Sequence, residues 1–325
     1  MSPELHTYDR FIIASSGGKD STACKLYLRE LGILPSQIEV WHHDVDGNQS
    51  GDNIMDWPCT QSYTRALSKH LGLEFYLSWK HGGFKGELLR NSQSTAPTSF
   101  ETPDGQIITR GGNGEAGTRL KFPAVSGDMT KRWCSPYLKI DVSRIALRNQ
   151  ERFCNSRTLF ISGERAQESP KREKYNPFTI HAADARKGRL KRHIDHWMPI
   201  HTWKKEQVWE IIQRHQINPH PAYKLGWGRA SCAGCIFASN DQCASHRKVN
   251  PFQFYVLNGL EIALNHTIVH GSDMTQRAAK GKPYAAITPE RIKEALDPDW
   301  ALNYPITLSP WVQPAGAYGE DTGPN

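Results

Sequence analysis

No uninterrupted apolar run in this chain approaches the roughly 20 residues needed to span a bilayer, and the longest greasy stretches are broken by polar or charged residues such as Asp, His or Arg. A membrane-spanning reading is therefore excluded. The segment Met1 to Arg10 carries acidic residues and no apolar core, so it is not a secretory signal, and the expected location is the cytoplasm. Internal repeats are lacking, and so is the Walker A spacing of glycines, lysine and hydroxyl residue. Seven cysteines in a chain without a secretory signal do not form a disulfide framework, and none follows Cys243.

What is present points to a folded α/β protein. The 325 residues are 38% hydrophobic and 22% charged, which argues against a disordered or fibrous chain. That length accommodates one large α/β domain or a core domain with a smaller appendage. The net charge of +7 is compatible with a polyanionic partner. Lys171, Arg172, Lys174, Arg186, Lys187, Arg189, Lys191 and Arg192 concentrate that charge, as either a solvated face or a phosphate-contacting patch.

The clearest motif is near the start. Arg10 to Ser15 reads as a buried parallel strand, Thr22 to Leu31 has helical apolar spacing, and Ser16-Gly17-Gly18-Lys19-Asp20-Ser21 lies between them. Gly17 and Gly18 permit a tight turn that brings N–H groups against a phosphate. The helix start favours an anion, Ser16 and Ser21 supply hydroxyls, and Lys19 offsets phosphate charge. Asp20 would repel a bare phosphate, but could cap the helix or help place Mg2+. A second strand, Gln37 to His42, precedes Asp44 and Asp46, which are placed to hold ribose hydroxyls or Mg2+, or to serve as turn residues. Thr60 to Leu71 reads as a helix, and Leu73 to Trp79 as the third strand.

On Ser16 to Ser21 and the surrounding strand–helix order, the first part of the chain resembles the PP-loop ATP pyrophosphatases, the adenine nucleotide α-hydrolase-like group. The resemblance implies a doubly wound, mainly parallel sheet. It also implies cleavage of ATP between the α and β phosphates, adenylation of an acceptor oxygen and release of pyrophosphate.

Further on, residues 82 to 130 read as a loop insertion rich in Gly, Ser, Thr and Pro, either a binding segment or disordered. Arg157 to Ser162 is another buried strand, followed by Gly163, Arg165, Glu168, Ser169 and Arg172; the two arginines can grip phosphate bidentately. Asn218 to Gly226 is a proline-punctuated loop that leads to Cys232 and Cys235. With Cys134, these elements are similar to the phosphoadenosine phosphosulfate (PAPS) reductase-like family from about residue 10 to 245. The expected division is therefore a PP-loop, PAPS reductase-like domain over 1–245 and a cysteine-containing helical C-terminal region, with a helical extension and loose tail over 246–325.

Thiolates are soft donors, and Cys232 and Cys235 could share one metal centre with Cys243 and a distant Cys134. The expected cofactor is a [4Fe–4S] cluster, with structural zinc as the alternative and His246 as a possible substitute ligand. Cys24, Cys59 and Cys154 read as buried small hydrophobes. The position paired in cluster-containing sulfonucleotide reductases reads Cys134-Ser135, and their tail cysteine has no counterpart here. The pattern is closer to relatives that couple ATP to sulfur transfer.

The expected mechanism has ATP along Ser16 to Ser21, Mg2+ near Asp20, Asp44 or Asp46, and catalysis by Lys19, Asp20 and Arg165, with Gly163 and Arg172 completing the site. An oxygen on nucleic acid would be adenylated and displaced by sulfur from a cysteine desulfurase partner. That oxygen would belong to a DNA backbone phosphate in DNA phosphorothioation, or to a base carbonyl in tRNA thiolation. The rivals are a sulfonucleotide reductase and a non-catalytic nucleotide-binding subunit.

Overall fold

A computed structural model describes residues 3–47, 53–230 and 232–320. The chain begins with β1 (Arg10–Ala14), α1 (Lys19–Glu30), β2 (Ile38–Asp44), α2 (Thr60–His70) and β3 (Glu74–Lys80). A short α3 (Gly83–Leu88) and the hairpin β4 (Thr98–Glu101) and β5 (Ile107–Arg110) come next. The wide helical turn Pro136–Ile140 then runs into α4 (Asp141–Arg148). The middle holds β6 (Arg157–Ile161), α5 (Pro170–Glu173), β7 (Phe178–Ile180), β8 (His193–Trp197), α6 (Lys205–Arg214) and α7 (Pro221–Lys224). Five helices follow: α8 (Asn240–Val249), α9 (Pro251–Ala263), α10 (Met274–Lys280), α11 (Pro289–Leu296) and α12 (Trp300–Asn303).

The eight strands form one sheet in the order β5-β4-β3-β2-β1-β6-β8-β7. The five central strands β3, β2, β1, β6 and β8 are parallel, and the outer pairings are antiparallel. Apolar β-branched and aromatic residues fill the central strands because both faces are covered. In β1, Phe11 and Ile13 enter the core beneath α1, α2 and α6, while Ile12 enters the opposite core with Trp41, Phe160 and Ile194. The fold is thus the expected doubly wound, mainly parallel α/β sheet with a helical C-terminal region.

Two segments are more ordered than their composition suggests. Within 82–130, the β4–β5 hairpin extends the sheet beyond β3 and buries Phe100. The segment around Gly316 folds back on the core: Trp209 donates to the Ala317 carbonyl at 2.9 Å, and the Gly316 N–H to that of Tyr223 at 2.8 Å. A Cβ on Gly316 would lie 2.1 Å from the Trp227 carbonyl, so only glycine allows that approach. The C-terminal helices share cores with the N-terminal half; Trp300 and Ala317 join the cluster around Phe11, and Phe254 and Leu257 join one with Val45 and Trp133. No helix among the described residues is long and apolar enough to cross a membrane.

Where α3 starts, Gly83 has φ +52°, and a Cβ there would lie 2.3 Å from the Asp46 carbonyl carbon. Gly83→Ala is expected to cost about 2 kcal/mol or more, since backbone must move and a rare conformation is strained further. Chemical denaturation checks this; a loss below about 0.5 kcal/mol would mean that the turn is not held against the Val45–Asp46 backbone that follows β2.

Candidate functional site

Strand order reverses between β1 and β6. From β1 the chain winds out through β2 and β3, whereas β6 and β8 lie on the other side. The loops leaving the carboxyl ends of β1 and β6 therefore face each other across a crevice, the usual ligand position in open α/β sheets. The first loop carries Ser16 to Lys19, and the second carries Gly163 to Arg165. Their close approach depends on Gly163, where a Cβ would sit 3.0 Å from the Asp20 carbonyl carbon.

The crevice is charged and bridged. Arg165, only 1% exposed, donates from Nε to Asp20 Oδ1 at 2.6 Å. Lys19 Nζ lies 3.4 Å from Asp20 Oδ2 and donates to the Gly228 carbonyl at 3.1 Å. Burial pushes the Asp20 carboxyl up, but the charges of Lys19 and Arg165 overcome this and hold it below the usual carboxylate range. Glu168 gathers further cations. It accepts the Arg165 backbone N–H at 2.9 Å, pairs with Arg172, and lies 3.9 Å from Arg229 Nη2.

Of the remaining expected site residues, Ser16 is exposed at the loop tip, while Gly17, Gly18 and Ser21 are buried. Gly17 has φ +74°, and a Cβ on it would lie 3.0 Å from Thr64 Oγ1 and 3.2 Å from His220 Cδ2. Ser21 turns inward, donating to the Gly18 carbonyl at 3.0 Å. Asp44 and Asp46 serve the backbone instead. Asp44 accepts the Asp46 N–H at 2.8 Å, and Asp46 accepts the N–H groups of Ile54, Met55 and Asp56 at 3.2, 3.0 and 2.8 Å. Burial raises the Asp46 carboxyl to about 7. With Asp20 held by two cations as well, these carboxylates do not form a ready cage for magnesium.

Several residues that shape the loop carried no sequence signal of that role. The Tyr223 hydroxyl accepts the Lys19 N–H at 2.8 Å, and its ring lies 5.7 Å from Lys19 Nζ. His220 caps α7, bonds Thr60 at 3.1 Å and backs Gly17; burial lowers its ring to about 3, so it is neutral. The proline-punctuated loop was visible, but nothing local showed that it would close over residues two hundred positions earlier. Lys25 was also missed. It is fully buried, and its Nζ donates to Ser15 Oγ at 2.8 Å, with Ser15 Oγ 3.3 Å from Ser21 Oγ.

Residues 113–238 match the model of the phosphoadenosine phosphosulfate reductase domain. A PAPS-reductase-like domain occupies this part of the chain. It includes Gly163 to Arg172, His220, Tyr223 and the Cys134 and Cys232–Cys235 elements, but not Ser16 to Ser21. An uncharacterized 37.8 kDa protein in the gpa 5′ region of Escherichia phage 186 is 34% identical over 126 residues, which is 38% of this chain. The chain covers 34% of that relative's length. The domain matched over residues 113–238 supports a nucleotide-processing enzyme in general.

The iron–sulfur and zinc expectations are corrected by the geometry. Among the described residues, no three His, Cys, Asp or Glu side chains come together as a group able to hold a metal ion. Cys134, Cys232 and Cys235 have Lys139 as a shared charged neighbour, whereas Cys243 on α8 packs with Phe254 and Leu257 and is influenced by Arg277 and Glu261. Burial raises the Cys134 and Cys243 thiols to about 11 and that of Cys232 well above its usual value, so each stays protonated. His246 is no substitute, since its Nε2 bonds Gln253 at 2.8 Å. Cys24 and Cys59 are buried as expected, and Cys154 is half-buried.

Burial lowers the Lys25 ammonium from 10.5 to about 7. Between these values the unfolded state holds a proton that the folded state resists, so stability falls as pH drops from the ordinary lysine value toward about 7, and the loss is complete below about pH 7. Removing the amine in Lys25→Met should therefore change the melting temperature more favourably at pH 6 than at pH 10. A wild-type-to-variant difference that stays constant over that range would show that Lys25 keeps its charge in the fold.

Proposed function

We propose that this chain binds ATP against the Ser16–Ser21 loop, transfers AMP to an acceptor oxygen and releases pyrophosphate, in support of sulfur transfer to nucleic acid. The observation that carries this reading is the meeting of Lys19, Asp20 and Arg165 at the switch point, with Arg165 Nε 2.6 Å from Asp20 Oδ1. Two buried cations held by one carboxylate are poised to exchange it for phosphate oxygens, which offer more charge and more acceptors. The acceptor oxygen attacks the α-phosphorus, the α–β bridge breaks, and pyrophosphate leaves with the electron pair. Lys19 and Arg165 stabilise the charge that develops in this step. Arg172, held by Glu168 beside them, extends the positive field. Hydrosulfide, released when a thiol reductant cleaves the persulfide of a cysteine desulfurase partner, then displaces AMP. The favoured acceptor is a DNA backbone phosphate, with a tRNA base carbonyl second.

A second reading, reduction of PAPS or adenylyl sulfate with release of sulfite, draws support from the domain matched over residues 113–238. It uses the same crevice with a sulfonucleotide as ligand.

Pyrophosphate release from ATP, with and without duplex DNA or tRNA, tests the proposal. Wild-type release should be stimulated by one nucleic acid, and Lys19→Met or Arg165→Gln should lower it roughly 100-fold while folding is retained by circular dichroism. Sulfite release from PAPS without any pyrophosphate release from ATP would favour the reductase. Nucleotide binding without either product would indicate a non-catalytic subunit.

A further inference from the structure

At the opposite ends of the parallel strands, where β1, β6 and β8 begin, lies an open cavity of about 520 Å3 lined by Asp9, Asn155, Arg157, Arg186, Lys187 and Lys191, among others. Its charges are unevenly matched. Arg186 is spent on Asp184 and Asp195, with Nε 2.9 Å from Asp184 Oδ1, and His193 lies 2.8 Å from Asp195. The Arg157 guanidinium lies 5.0 Å from the Tyr8 ring centroid. Asp9, the one carboxylate in the lining, accepts the Arg157 backbone N–H at 2.7 Å. With Asp184 and Asp195 counted beside Asp9, three carboxylates stand against Arg157, Arg186, Lys187 and Lys191, so one positive charge remains in excess, and the exposed side chains of Arg157, Lys187 and Lys191 make the open rim cationic.

The backbone is shaped to present these cations together. Between β7 and β8 the Ala185 N–H bonds the Arg192 carbonyl at 2.8 Å, the Gly188 N–H that of Ala185 at 3.0 Å, and the Lys191 N–H that of Gly188 at 3.1 Å. Lys191 has φ +45°, and Asn155 on the facing wall has φ +53°. Such conformations are unfavourable for residues with side chains, and persist where the surrounding structure imposes them. The result folds Lys187 and Lys191 back to border one cavity, although the sequence places both in a short basic run.

We infer that this cavity grips the sugar–phosphate backbone of a nucleic acid, independently of sequence and apart from the nucleotide site. It is open at the surface, which suits a passing polymer more than an enclosed small anion. Its cations lie on exposed side chains, which suits phosphate contacts made through counterion release. Base recognition is not expected, because the aromatic ring nearest its arginine, Tyr8, is 3% exposed and cannot stack on a base. The strand β1 separates the cavity from the Ser16 loop by roughly 20 Å at about 3.3 Å per residue. The cavity is therefore a tether and not the place where an acceptor oxygen reacts. The choice of polymer rests on the nucleic-acid reading above, whereas the cavity and its charge do not.

Fluorescence anisotropy of a labelled duplex DNA of about 20 base pairs tests the inference across a salt series. The double variant Lys187→Ala, Lys191→Ala should bind at least about 10-fold more weakly, and its slope of log affinity against log salt should be shallower by about 2. A charge-matched control, Lys69→Ala with Lys293→Ala, should leave both unchanged, and ATP binding should be the same in all three proteins. Equal losses in the control would overturn the site in favour of diffuse attraction. Unaltered binding by the cavity variant would overturn it outright, as would equally tight competition by poly-L-glutamate or by millimolar inorganic phosphate. Because pyrophosphate release is read separately, loss of the tether and failure of the adenylation chemistry give different results.

Discussion

The carboxylate of Asp20, held between Lys19 and Arg165, joins the two halves of the sheet at the point where their winding diverges. Lys19 and Asp20 open α1 after β1, while Arg165 belongs to the loop after β6, so this contact ties loops from separate crossovers. Buried ions are costly unless paired and hydrogen-bonded. That cost makes the arrangement interdependent: each charged group is tolerated because the others are present, and Gly163 leaves space for them to meet. A ligand that brings phosphate oxygens to this place would compete with Asp20 for partners already positioned.

Around this junction the supports come from remote parts of the chain. The Tyr223 hydroxyl accepts from the Lys19 N–H, the Gly228 carbonyl accepts from its ammonium, and His220 closes the space behind Gly17. Below the loop, Lys25 reaches Ser15, which lies near Ser21, so a buried amine adjoins the hydroxyls that line the turn. The C-terminal segment completes the shell, since Gly316 bonds Tyr223 and allows the chain to pass close to Trp227. The loop is therefore a surface feature with a deep, polar foundation.

The cysteines show how spacing can mislead. A short separation between Cys232 and Cys235 permits a shared centre, but coordination requires that every donor converge and lose its proton. Cys243 lies on a helix whose buried face joins the apolar cluster of Phe254 and Leu257, and desolvation favours its neutral thiol. Lys139 lies near the other three thiols without turning them into a ligand set. The charges of the basic run between β7 and β8 are also sorted by the fold. Arg192 is taken up internally, Arg186 is paired with Asp184 and Asp195 at the cavity wall, and Lys187 and Lys191 border the same open cavity.

Local pattern determined the parts of this protein that depend on neighbours in sequence. The apolar run of Arg10 to Ser15, the glycine turn and the helical spacing after it specify strand, loop and helix, because backbone geometry and burial act over a few residues. The same holds for β2, β3, β6 and α6, and with their order it makes a doubly wound sheet the natural outcome. Tertiary structure alone decided which charges meet. Asp44 and Asp46 follow a strand as a ligand-binding pair would, yet their oxygens are taken by the N–H groups of the next loop. Tyr223, His220 and Lys25 shape the site through contacts that no local spacing records. The hairpin within 82–130 and the packed segment up to residue 320 were hidden for a similar reason. Their glycine- and proline-rich composition describes a mobile chain in isolation, whereas the edge strand β3 and the buried cluster that holds Trp227 and Ala317 give that chain something to pack against.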